Sequence, residues 1–298
     1  MRDAASRTGF FLVDDFAGVP RHVVDAAFDA AARFFTADTT TKIAACAWEA
    51  ETNAGYVAIG RERLGVSHPD VGKEALNLPR DSAATVLAAV AATTDKADAD
   101  ALAALLDAAS AAALALLAAI GEAMGDDDIA AFVAAHDASA APAATSGTTL
   151  RALHYSPITD SDGVVAVDDD GCVLRAGAHT DYGTITLLFR DDRGVDDNDP
   201  ASTSDDLEVL VGNDWIRVPV VRNTVVVNVG DLLHDWSTGL FPSTLHRVRG
   251  RATAHRFALA LFVHPHDHIA VRNMPGLTAG DHLRSRLEAS YTGTPSQS

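Results

Sequence analysis

The sequence predicts an α+β fold, mainly β in its second half, with the helices of the first half packed on a sandwich or barrel of short strands. Three observations predict it. Before about residue 148 the apolar residues recur at helical spacing. After it come short runs rich in Val, Leu, Thr and aromatics, punctuated by Gly, Asp and Asn. Finally, 48% of the 298 residues are apolar, enough to bury a sizeable core and exclude global disorder. The shift near residue 148 reads as a change of element type, because such helices pack on such sheets. One domain is therefore expected over 1–298: a mainly helical half over 1–148, a β core over 149–270, and a closing helix and tail over 271–298.

The elements follow in order. Val23, Val24, Ala27, Phe28, Ala31 and Phe34 form one stripe of a helix expected over Val19–Phe35, with Pro20 suited to its first turn. An alanine-rich helix is expected over Asp98–Gly125, its acidic start complementing the helix dipole. DDDIAAFVAAHDAS begins another short helix, and Ala138–Thr149 is a small-residue connector. LRALHY, GCVLRAGAH, GTITLLF, LEVLV, WIRVPV, TVVVNVG, STLHRV and HRFALALFVH read as strands. The acidic run Asp191–Asp206 reads as a solvated, mobile hairpin insertion. Asp281–Ser290 reads as a short closing helix.

Charge narrows the function. Twenty-three Lys and Arg against 41 Asp and Glu leave a formal net charge of −18, which opposes binding to nucleic acid or to an anionic membrane. A small-molecule partner and a soluble monomer are expected. Cys46 and Cys172 form no CxxC pair, so two reduced thiols in the cytoplasm are expected. The longest apolar run, Ala108–Gly121, falls short of a bilayer span, and the N-terminus lacks a secretory pattern.

Nine of the twelve histidines lie after residue 150. Among them, His179 and Asp181 stand two apart in an extended segment, so both side chains point to one face. A third metal ligand is best supplied by His246, on another expected strand 65 residues further on. Two histidines and one carboxylate make the donor set of non-haem Fe(II) oxygenases. Zinc accepts the same three donors. HxD alone is also a common structural pair.

More of the chain matches. The segment HTDYGT is followed in order by LEVLV, WIRVPV, VVVNVGDLLHDWSTG, STLHRV and Arg256. Before it stand TGFFLVDDFAGVP, NAGYVAIGRERL and GKEALNL. This series, from about Thr8 to about His268, resembles the isopenicillin N synthase-like branch of the 2-oxoglutarate- and Fe(II)-dependent dioxygenases. The resemblance implies a double-stranded β-helix, a distorted jelly roll, flanked by N-terminal helices. It implies Fe(II) on His179, Asp181 and His246, with 2-oxoglutarate and O2 as co-substrates. Arg256 would pair with the distal carboxylate of 2-oxoglutarate, as a guanidinium fork can. Tyr155 would donate to the same carboxylate, and Asn228 would lie near the co-substrate. The implied reaction is hydroxylation, desaturation or ring closure of a small organic molecule, releasing succinate and CO2. Two other activities share the triad: an Fe(II) oxidase of the same fold that dispenses with 2-oxoglutarate, and a zinc-dependent hydrolase.

Two departures stand out. Arg256-Phe257-Ala258 replaces the usual Arg-x-Ser, so the serine hydroxyl is missing, and the chain opens directly near GFFLV where many relatives begin with a further strand, so the start is expected to be either trimmed or short of one peripheral strand. Trp236 and Tyr56 are candidate substrate contacts. His264, His266 and His268 read as a loop of solvated imidazoles, His255 as facing away from the site, and Arg175 and Arg217 as surface cations.

Overall fold

The computed structural model of the chain describes residues 1–62, 70–140, 145–158, 172–194, 206–251, 253, 255–272 and 274–292. Two antiparallel sheets face each other. The larger runs in the order β1 (Phe10–Asp14), β9 (Thr224–Val229), β6 (Ile185–Arg190), β11 (Arg256–Val263), β4 (Thr149–Tyr155), β3 (Lys73–Pro79) and β2 (Gly55–Val57). The smaller runs β5 (Cys172–His179), β10 (His246–Arg251), β7 (Asp206–Val211) and β8 (Asp214–Arg217). Non-consecutive neighbours through β1-β9-β6-β11-β4 and β5-β10-β7 make this the jelly-roll arrangement the resemblance implied.

Alternation along the strands sorts the large sheet into two faces. Leu150 and Ala152 of β4, Leu259 and Leu261 of β11, and Leu187 and Phe189 of β6 belong to the main apolar core. Helices α2 (Arg21–Thr36) and α5 (Lys96–Met124) cover that face, with Phe28, Phe34, Leu105 and Leu117 in the same core. The opposite face carries Arg151, Leu153 and Tyr155 of β4 and Arg256, Ala258, Ala260 and Phe262 of β11, and looks toward the small sheet. The chemistry sits between the sheets.

Helix α5 begins two residues before the expected start. The Asp95 carboxylate caps it by accepting from the Asp98 amide (2.9 Å), and left-handed Gly125 (φ 73°) ends it. At 29 residues it is long and apolar enough to cross a membrane; here 39% of its most apolar stretch is buried inside the fold, against α2, α4 (Ala83–Thr93) and α6 (Ile129–Ala134). Helices α1 (Arg2–Thr8) and α3 (Thr39–Cys46), with α4, lack a strong apolar stripe and were not expected. The acidic run is only partly described. Its start is not solvated: Asp192 is buried and pairs with Arg21 at 2.7 Å, and it accepts from the Asn223 amide. Residues 195–205 of the expected insertion lie outside the described residues.

Candidate active site

His179 ends β5 and His246 opens β10, and the two are register partners across the small sheet. Their rings lie 4.3 Å apart. Asp181 follows two residues after His179. Its Oδ1 stands 3.9 Å from His179 Nε2 and 3.6 Å from His246 Nε2, and the three donor atoms all fall within 4.8 Å of one another. Among the described residues this is the one His, Cys, Asp and Glu grouping of metal-binding geometry.

Backbone and neighbours fix these side chains. His179 Nδ1 meets the Gly177 carbonyl at 2.7 Å and His246 Nδ1 the Thr244 carbonyl at 3.1 Å. Carbonyls only accept, so each Nδ1 carries the proton and each Nε2 presents a lone pair toward Asp181. The other carboxylate oxygen, Oδ2, accepts from Asn228 Nδ2 at 2.7 Å and from the Thr186 hydroxyl. The turn after Asp181 needs glycine. A Cβ on Gly230 would stand 2.2 Å from the Gly183 carbonyl oxygen, and one on Gly183 would stand 2.5 Å from that of Val263. That approach lets the start of α7 (Asp231–Trp236) clamp the turn, with the Asp231 and Leu232 amides donating to the Asp181 and Gly183 carbonyls.

Protonation suits a cation. Burial, reinforced by His246, pushes His179 down to about 3, so its imidazole is neutral. Burial alone would raise Asp181, but His246, His179 and the hydrogen bonds from Asn228 and Thr186 hold its carboxyl below the usual range. The neutral His179 imidazole, the His246 Nε2 and an anionic carboxylate oxygen, converging within 4.8 Å, fit a divalent metal that prefers mixed N and O donors.

Two cavities adjoin the triad. The first runs between the sheets to Arg256 and Tyr155, with Leu153, Ala176, Leu188 and Val248 as apolar walls. Arg256 is buried, pairs in register with Tyr155, and its guanidinium lies 4.8 Å over the Tyr155 ring. A dicarboxylate fits here: a buried cation and a phenol at one end, metal donors at the other. Ala258 is buried and presents a methyl group where the resemblance implied a hydroxyl. The second cavity shares His179, Asp181, Arg151 and Phe262 with the first. Its far wall comes from helix α8 (Ala279–Thr292) through Leu283 and Leu287.

A buried ion cluster borders both spaces. The Arg151 guanidinium donates to both oxygens of Glu62, at 2.9 and 2.6 Å. Lys73 meets Glu62 at 2.8 Å and Asp70 at 2.5 Å. Sequence reading missed all four residues. The only signal was Arg151 standing four residues before Tyr155, hence on its face of the strand.

Other expectations need correcting. Asn228 lines the first cavity, and its side-chain amide also donates to Asp181, so it steadies a carboxylate of the triad. Tyr56 lines neither cavity: it is buried on the helical side, with its hydroxyl on Glu74 and its ring against Phe34. Trp236 packs edge-on against Phe132 at 4.9 Å and likewise lines neither. Apolar burial of a large ring decided both positions. Arg175 is 1% exposed, not a surface cation. His264 and His266 are buried, not solvated, and His264 lines the second cavity. His255 does face away, stacked on the outer-face His154 with a 2.9 Å bond between their rings.

Fold and site together define a two-sheet β protein bearing the donor set of a non-haem iron oxygenase. The comparisons agree. Residues 148–265 match the 2OG-Fe(II) oxygenase superfamily, and residues 1–92 match the family described as non-haem dioxygenase in morphine synthesis N-terminal. The Aspergillus niger 2-oxoglutarate-dependent dioxygenase caaD is 32% identical over 127 residues, covering 41% of this chain and 37% of that one. The 1-aminocyclopropane-1-carboxylate oxidase 1 of Doritaenopsis sp. is 37% identical over 100 residues, covering 34% and 28%. The matched segments thus span less than half the length of these curated relatives. Among solved structures, a full-length Neurospora crassa protein crystallised in complex with alpha-KG superposes with a TM-score of 0.73 at 25% identity, over 97% of this chain and 89% of that one. Residues 148–265 thus carry the match to the 2-oxoglutarate- and Fe(II)-dependent oxygenases, preceded by the N-terminal match over residues 1–92. The family's cofactors, Fe(II) and 2-oxoglutarate, are those this chain's donor set and first cavity fit.

Proposed function

We propose that this protein oxidises a small organic molecule with O2 and 2-oxoglutarate, by hydroxylation, desaturation or ring closure. The observation that carries the reading is the convergence of His179 Nε2, Asp181 Oδ1 and His246 Nε2 at one end of a cavity whose other end holds Arg256. When bound, Fe(II) would activate O2, the oxidant, with two of the four electrons supplied by oxidative decarboxylation of 2-oxoglutarate to succinate and CO2 and two by the substrate. The chain supplies position. His179, Asp181 and His246 would hold the iron, and three protein donors would leave it coordination positions for ligands. Asn228 and Thr186 hold the Asp181 carboxylate, fixing which oxygen faces the metal. Arg256 and Tyr155 take the distal carboxylate of 2-oxoglutarate, while the apolar walls of the first cavity exclude water around it. The second cavity then receives the substrate beside the triad.

A second reading, an oxidase of this fold that does without 2-oxoglutarate, draws on the Ala258 methyl group and on the relatives named as 1-aminocyclopropane-1-carboxylate oxidases. Succinate decides between them. The purified protein, given Fe(II), 2-oxoglutarate and air, is expected to release succinate, and release is expected to rise in step with oxidation of its substrate. Substrate oxidation without succinate establishes the oxidase. Retained activity with Zn(II) in place of Fe(II) overturns both.

A further inference from the structure

We infer that the substrate is a compact, uncharged molecule with a carbonyl oxygen, of the cyclic amide or imide kind, seated in the second cavity and anchored by Arg151 and His264. This rests on the oxygenase reading above and names the substrate class of that same site.

Charge comes first. Arg151 and Lys73 contribute two positive charges and Glu62 and Asp70 two negative, so the cluster sums to zero among the described residues. Burial opposes charging all of these groups, yet they hold one another ionised. Arg151 and Lys73 keep Glu62 far below the carboxylate range, and Glu62 keeps Arg151 firmly protonated. Among the described residues lining this cavity, a substrate carboxylate meets no cation other than Arg151. It must break the two-pronged Arg151–Glu62 contact and strand Glu62 as a buried anion. An uncharged substrate leaves the cluster intact.

Open hydrogen-bonding valences come next. Both terminal nitrogens of Arg151 are committed to Glu62, but its Nε is buried with no acceptor. An N–H donor so placed calls for an oxygen. His264 has a buried, unpartnered Nδ1, and burial drives its ring down to about 3, leaving it neutral. A neutral imidazole nitrogen pairs with an amide N–H or a carbonyl, according to tautomer. Several other polar atoms of this cavity are already engaged. The Tyr182 hydroxyl meets Ser290 at 2.7 Å, Asn53 Oδ1 accepts from Trp48 and Asn77, and the Thr149 hydroxyl donates to the Gly147 carbonyl. Phe262, Leu283 and Leu287 supply apolar surface for the rest of the molecule.

The experiment measures ligand binding by calorimetry, under nitrogen, to the protein loaded with Fe(II) and 2-oxoglutarate. The probes are uracil and 2-pyrrolidinone, against benzoate and cyclopropanecarboxylate. The uncharged probes are expected to bind about tenfold more tightly than the carboxylates, or better. Glu62→Gln removes the counter-charge of Arg151 and is expected to shift that ratio about tenfold toward the carboxylates. Carboxylates binding the wild type as well as the amides, neither class binding, or an unchanged ratio in Glu62→Gln overturns the inference. If Glu62→Gln does not fold, judged by its melting curve, the wild-type ratio decides alone. The weak visible absorption of a protein-bound Fe(II)–2-oxoglutarate chelate separates the two readings. With that absorption present, a carboxylate preference overturns only the substrate class; without it, the oxygenase reading itself falls.

Discussion

Two buried polar clusters, a few side chains apart, solve opposite problems. In the triad, each histidine spends its Nδ1 proton on a backbone carbonyl and Asp181 spends Oδ2 on Asn228 and Thr186. What is left over, two lone pairs and one anionic oxygen, points at a single spot. In the other cluster, Glu62 turns both oxygens on Arg151 and shares one with Lys73, and Lys73 reaches Asp70, so among the described residues each cation meets an anion. Buried ionic groups can therefore be built to lack a partner or to complete one. The first kind binds; the second sets the charge that a neighbouring ligand meets.

Breaking the triad gives the largest expected effect. Asp181→Ala removes the only anionic donor, and Fe(II) retention on gel filtration is expected to fall more than about a hundredfold, beyond what loss of a supporting residue costs. Asn228→Ala tests the support itself: iron affinity is expected to drop roughly 10- to 100-fold while co-substrate affinity at saturating iron changes little. Were Asn228 a co-substrate ligand instead, the pattern would reverse. Arg256→Met is expected to raise the KM for 2-oxoglutarate roughly 10- to 100-fold, the worth of a charge-assisted contact, with iron affinity unchanged.

Acid sharpens the comparison, because three buried histidines are neutral in the fold. Burial lowers His179 and His264 to about 3 and His136 to about 4. Their folded values lie below the unfolded value of about 6.5, so the stability they contribute is present above that pH and drains away as pH falls from 6.5 toward 3. Roughly 2 kcal/mol per histidine is at stake by pH 5. Melting temperature at low salt is expected to drop steeply between pH 6.5 and 4. A flat profile there contradicts the burial of these rings. Glu62 of the ion cluster is expected to stay silent over that range, since its carboxyl is held far below it. The smallest effect belongs to Ala258→Ser. Restoring a hydroxyl is worth about 1 kcal/mol, so the KM for 2-oxoglutarate is expected to fall a few-fold.

The difference between the clusters also explains what was legible. His179 and Asp181 sit two apart on one strand end, and His246 opens a strand of its own, so period-two alternation and a rare residue type announced the metal site. The β half was readable for the same reason: half-buried strands alternate. Glu62 and Arg151 are 89 residues apart, and nothing local distinguishes a buried Arg or Glu from a surface one. Arg175 was misjudged on those grounds, and His264 and His266 likewise, since burial of a polar group is decided by tertiary packing. Tyr56 and Trp236 failed in the opposite direction: aromatic rings near site motifs went to the apolar core. Helices α1, α3 and α4 lacked the strong apolar stripe that revealed α2.

The central claim is that three side chains of this chain hold iron beside a dicarboxylate pocket. Anaerobic titration of the purified protein with Fe(II) and 2-oxoglutarate, followed by visible absorption, tests it most directly. The account predicts a weak chelate band that saturates at one iron per chain, is absent in Asp181→Ala, and requires about tenfold or more 2-oxoglutarate in Arg256→Met. A wild-type protein that shows no band and retains no iron contradicts it.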